Sequence, residues 1–158
     1  MSGKNYKAFL FSHTALKSIC SGVQNAHLLP RMFMKFPQDS VERTVLEEWS
    51  RDHETIVMRD GGISKSLKQI RYITGRACPV VGVPYATFYE SEDYLDRILT
   101  SVGFILDRSR TQQTIFQDYS VDLLAKHVHN RINETKSLQQ QEAYDILVAL
   151  IDATRPVT

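Results

Sequence analysis

No stretch of this chain approaches the roughly 20 consecutive apolar residues that a membrane span needs, so no membrane partner is expected. Residues 1–5 lack the apolar core of a secretory leader, and a cytoplasmic location is the expectation. Cysteine occurs only twice, at Cys20 and Cys78. In a reducing compartment both are expected to be buried and free rather than bridged. Metal-ligand spacing is missing too. His127 and His129 are two apart, and positions two apart on a helix point in different directions. There is no Walker-type glycine loop, no G-x-G-x-x-G after the first apolar run and no G-x-S-x-G elbow. No metal and no cofactor is therefore implied. Charge of one sign is not in excess: the net charge is +1, which gives no global attraction to nucleic acid. The distribution is uneven, however. Residues 1–75 hold 11 Lys+Arg against 7 Asp+Glu, and residues 76–158 hold 8 against 11. That fits either one moderately basic face suited to phosphate or a plain solvated surface.

What is present is enough for a core. The chain has 158 residues, of which 42% are hydrophobic, the size of one compact domain. Lys7-Ala8-Phe9-Leu10-Phe11 is apolar on both faces, as a strand covered on both sides must be. After a polar break at Ser12-His13-Thr14, a run with Ile19, Val23, Ala26, Met32, Phe33 and Phe36 at helical spacing predicts a helix capped by Ser18. Pro30 inside the run predicts a kink or a break into two shorter helices, because its ring crowds the carbonyl of Ala26.

Asp39 with Glu42 predicts a capping box and a further helix, with Val41, Val45 and Trp49 facing one way. Residues 54–58 read as the second strand, and Asp60-Gly61-Gly62 as a turn. Ile63, Leu67, Ile70 and Ile73 form a helical stripe that Gly75 is expected to close. Ala77–Val83, bracketed by Pro79 and Pro84, reads as a loop or edge segment. Residues 85–89 and 98–106 read as the third and fourth strands, the latter with Gly103 inside it, and the remainder as two helices. Strands with interposed helices indicate an α/β fold with a mixed sheet.

In such folds ligands sit beyond the carboxyl ends of strands. Lys17, Gln24, Asn25 and His27 lie near the first strand-to-helix turn, and Glu90 and Thr100 come from later strands. Together they could orient water or bind phosphate. They could equally cap, solvate and bond locally. Gly22 either weakens the early helix or lets backbone approach a ligand.

Tyr6-Lys7-Ala8-Phe9-Leu10-Phe11, Leu16-Lys17-Ser18 and Gly22-Val23-Gln24-Asn25-Ala26-His27 resemble the opening of the type 2 peptidyl-tRNA hydrolase family. So do Leu46-Glu47-Glu48-Trp49, Thr55–Arg59 followed by Leu67, Ala86–Glu90 and Leu99–Phe104, in the same order. The resemblance covers about residues 5–107. It implies a three-layer α/β/α sandwich around a four-stranded mixed sheet; residues 108–158 have no counterpart in the family and are expected to form a C-terminal helical extension packed on that domain. It further implies hydrolysis of the ester of peptidyl-tRNA or of a related nucleotide ester. Glu90 would orient water, Lys17 and Thr100 would stabilise charge, and His27 would complete the catalytic set. Gln24, Asn25, Gly22 and Ser18 would hold substrate. The sequence departs from the family where Ser21-Gly22 replaces Gly-Lys and Glu90-Ser91-Glu92 replaces Asp-Ala-Gly. A second expectation is therefore a catalytically inactive nucleotide- or protein-binding module. The partners implied are tRNA or a small nucleotide, and a second copy of the chain docked through Tyr144, Leu147 and Ile151.

Overall fold

A computed structural model describes residues 3–16, 18–90, 98–109 and 115–157. The elements are β1 (Tyr6–Ser12), α1 (Ser18–Ala26), α2 (Leu28–Lys35), α3 (Val41–Glu48) with a π-helical turn at Trp49–His53, β2 (Ile56–Asp60), α4 (Ser64–Val81), β3 (Tyr85–Tyr89), β4 (Leu99–Asp107), α5 (Val121–Thr135), α6 (Gln140–Asp152) and β5 (Arg155–Pro156). The fold is mixed α/β. Its sheet runs β3-β4-β1-β2-β5, so the doubly apolar β1 is the middle strand.

The sheet has five strands, not the expected four. β5 is two residues long, too short for any periodicity to announce it. It is held by Arg59, whose guanidinium donates to the Ile151 carbonyl at 3.0 Å and to the Thr154 hydroxyl at 3.0 Å.

Alternation along β1 divides the interior in two. Ala8 and Leu10 pack with Leu28, Met32, Val45, Leu46 and Trp49 from α2, α3 and the π-helical turn. Phe9 and Phe11 pack with Leu67, Ile70 and Ile73 of α4 and with the apolar residues of α5 and α6. From Ala8 to Phe11 both faces of β1 are thus buried by helices, and every side chain in that stretch is apolar.

Pro30 does break its helix in two. α1 stops at Ala26, the residue whose carbonyl the proline ring would meet, and α2 starts at Leu28. The cap of α3 is Ser40 rather than Asp39, its hydroxyl accepting from Arg43 N–H at 3.1 Å. Val41 is exposed, while Val45 and Trp49 are buried.

Gly75 does not end α4. The helix runs on through Pro79 to Val81, and Gly82 closes it at φ +83° with its N–H on the Cys78 carbonyl at 2.8 Å. The stripe continues as Thr74, Ala77 and Cys78, all fully buried, and that burial outweighs the local cost of Gly75 and Pro79. Cys78 is buried as expected, but Cys20 is exposed.

Tyr144, Leu147 and Ile151 are not a docking surface. They lie 5%, 0% and 7% exposed inside the same cluster as α4, and the Tyr144 hydroxyl donates to the Asp107 carbonyl at 2.6 Å. Among the described residues no helix is long and apolar enough to cross a membrane.

Candidate functional site

β1 and β2 are parallel, and β4 is antiparallel to both β1 and β3. The carboxyl ends of β1, β2 and β3 therefore meet the start of β4 at one edge of the sheet. In open α/β sheets this is the edge where ligands bind. Ser12-His13-Thr14, Asp60-Gly61-Gly62, Glu90 and Thr100-Ser101 all lie there.

α1 packs onto this edge by an unexpected face. Ser21 and Asn25, one turn apart, are each 1% exposed, whereas Val23 is 54% exposed. In α1, Val23 and Ala26 thus face outward, and Ser21 and Asn25 inward. Opposite it the sheet offers Ser12, Thr100 and Ser101, also buried. Most of the buried polar side chains of the described structure are gathered at this end of the sheet.

A bulge in β4 explains how Thr100 joins them. Phe88 pairs with Ser101 and Tyr89 with Leu99, so Thr100 has no partner across the ladder. A bulge turns a side chain that alternation would send to the other face. Two consecutive residues of β4 then reach the same residue of α1. The Ser101 hydroxyl donates to the Gln24 carbonyl at 3.3 Å. The Thr100 hydroxyl has the Gln24 Oε1 at 3.4 Å and the Phe88 carbonyl at 3.3 Å as acceptors.

His27, in the joint between α1 and α2, stacks flat on Phe88 with ring centroids 4.3 Å apart and planes 6° apart. It is otherwise exposed. Glu90 follows β3 directly, its N–H bonded to the Ile98 carbonyl at 2.9 Å, and its side chain is half-buried. Asn25 is buried, and neither atom of its amide has a hydrogen-bond partner among the described residues. A Cβ at Gly22 would meet nothing within 4 Å, so no part of the described chain needs its small size. Ser18 is the first residue of α1; Lys17 and the Ser18 side chain lie outside what is described.

The sequence reading missed the neighbouring group on β1 and β2. A cavity of about 90 Å³ is lined by Ser12, His13, Thr14, Ser21 and Asp60. Asp60 accepts from the Thr14 hydroxyl at 3.1 Å and from Gly62 N–H at 2.9 Å. His13 Nδ1 accepts from Ala15 N–H at 3.1 Å. The neutral ring therefore carries its proton on Nε2, which donates to the Ser64 hydroxyl at 3.1 Å. With Nε2 already protonated, His13 does not serve as a base for Ser64. The signal for this cavity was available, since polar residues end both β1 and β2. It could be used only once those strands were known to be adjacent and parallel.

The arrangement supplies hydroxyls, amides, the carboxylates of Asp60 and Glu90 and the imidazoles of His13 and His27 around a half-buried end of the sheet. Among the described residues no group of three metal-binding side chains forms. Searches against family models and curated proteins return no match to this chain.

Proposed function

We propose that the chain is an ester hydrolase of the peptidyl-tRNA hydrolase type, acting on peptidyl-tRNA or a related nucleotide ester. The observation that supports this reading is the bulge of β4, which sets Thr100 and Ser101 together against Gln24. With its Oε1 facing the Thr100 hydroxyl, the Gln24 amide keeps its N–H donors for an oxyanion that develops on the ester carbonyl. Glu90, arriving from the end of β3, orients the attacking water. Lys17, the residue before α1 in the sequence, is assigned the stabilisation of charge. His27 has one face on Phe88 and offers the other to a nucleobase. In this reading the helices packed on the two sides of β1 are the outer layers of an α/β/α sandwich. Residues 1–107 carry the site, and residues 108–158 buttress it.

The test is release of peptide from peptidyl-tRNA by the purified chain. Turnover is expected, with Thr100→Ala and Glu90→Gln each lowering it about 100-fold or more. A folded protein, verified by circular dichroism, that gives no turnover overturns the reading.

One observation favours a binding module instead: the Thr100 proton is already shared between two internal acceptors. A nucleotide bound without turnover, and bound more weakly by Thr100→Ala, would select that alternative.

A further inference from the structure

β3 is the outermost strand on its side of the sheet, and among the described residues nothing pairs with its outer edge. The pairing register tells which of its backbone groups are open. Ile105 N–H bonds the Pro84 carbonyl at 3.1 Å. In an antiparallel ladder the bonded pairs recur at every second residue, so Ala86 and Phe88 turn their N–H and C=O towards β4. Those of Thr87 point the other way, to the open edge.

α2 runs alongside this edge. Arg31 lies over the Phe88 ring at 4.9 Å from its centroid, and Lys35 over the Tyr85 ring at 3.4 Å. The helix therefore descends as the strand ascends. Between them is an open groove of about 310 Å³ lined by Arg31, Met34, Lys35, Ala86 and Thr87. Met34, at 87% exposed, forms an apolar lip. Among the described residues neither Arg31 nor Lys35 forms an ion pair. The rings hold the two cations in place without neutralising them.

We propose that this groove binds an extended acidic peptide, which adds to β3 as a sixth strand and sets alternate carboxylates against Arg31 and Lys35. Three features fit one another. The open N–H and C=O of Thr87 are what a strand-adding peptide uses. The two cations are four residues apart on a helix, a rise of about 6 Å. Same-face side chains of an extended chain are about 6.6 Å apart, so carboxylates at alternate positions match them. The charge is complementary: among the described residues the groove presents two cations outside any ion pair and no acidic side chain. A single-stranded nucleic acid fits less well. It would need bare ring faces for stacking, but Phe88 is covered by His27 on one contact and by Arg31 on another, and Tyr85 by Lys35.

The experiment is fluorescence anisotropy on the full chain with four labelled probes. These are a short peptide alternating valine and glutamate, the same peptide N-methylated at every valine amide or at every glutamate amide, and a uridine oligomer of equal charge. The first is expected to bind saturably. N-methylation in the register that faces Thr87, and the double variant Arg31→Glu with Lys35→Glu, are each expected to weaken it at least tenfold. Thr87→Pro, which removes only an outward N–H and is tolerated on an edge strand, is expected to weaken it as well. Equal binding of the N-methylated peptide in both registers overturns strand addition. Tighter binding of the uridine oligomer, lost in the double variant, assigns the strip to nucleic acid and overturns the peptide. No saturable binding of any probe also overturns it.

Discussion

Gly103 is where α2 meets the sheet, and replacing it gives a sharp test of how the site is supported. A methyl group placed there would lie 2.6 Å from Leu10 Cδ2, 2.9 Å from Leu28 Cδ1 and 3.1 Å from the Phe9 carbonyl oxygen. The two leucine methyls can shift, though both side chains are almost fully buried. The carbonyl cannot move without disturbing the β1–β4 ladder, in which Leu10 is paired with Gly103. Overpacking of this kind costs about 1–3 kcal/mol. For a domain of this size, about 2 kcal/mol lowers Tm by about 4–8 °C. A calorimetric melt of Gly103→Ala should show that drop. The displaced side chain, Leu28, follows His27 directly, so the stack on Phe88 should loosen too. Leu28→Ala alone should cost about 2–5 kcal/mol through the cavity it leaves. Combined with Gly103→Ala it should cost less than the sum, by at least about 0.5 kcal/mol, because the new methyl enters space that Leu28 has vacated. A Tm for Gly103→Ala within about 1 °C of the parent, together with strict additivity in the double variant, would refute the packing described.

Asn25→Leu replaces a buried amide that has no partner among the described residues by an apolar group of similar branching. It should raise stability by about 1–2 kcal/mol in urea titration, and an equal loss would mean that the amide is satisfied. Of the two thiols, Cys20 is exposed and Cys78 is buried, where desolvation pushes its thiol well above the usual range. A chromogenic disulfide reagent should therefore titrate one thiol in the native chain and both in denaturant. Burial pushes the Asp107 carboxyl up, but N–H bonds from Asn5 and Ser109, with the Lys4 charge nearby, outweigh it and hold it below the ordinary carboxylate range. A carboxyl lowered by folding stabilises above its unfolded pKa of about 3.9 and loses that contribution as pH falls through the folded value. Asp107→Asn should flatten the acid limb of a urea-midpoint profile, while an unchanged limb would mean that other carboxyls set it.

The outline of the fold was legible in particular residues. The doubly apolar run Lys7–Phe11 marked the middle strand, and Pro30 marked the division between α1 and α2. Local rules failed where burial overrode them. Gly75 and Pro79 read as punctuation, yet both lie inside α4, because Thr74, Ala77 and Cys78 continue its buried stripe. α1 failed in the opposite way. Its periodic apolar residues predicted an inward face, but Val23 faces out and Ser21 and Asn25 face in. The reason is not in α1 itself but in the hydroxyl-bearing sheet edge it covers.

Residue type alone determined that β1 is covered on both sides and that strands alternate with helices, because apolar surface must leave water wherever it occurs. Only the folded chain decided which polar side chains meet. Thr100 reaches Gln24 because a bulge displaces it by one position in the ladder, and a register shift depends on pairing with β3 rather than on anything written within β4. The cavity of His13, Thr14 and Asp60 likewise exists because β1 and β2, separated in sequence by three helices, lie parallel and end together.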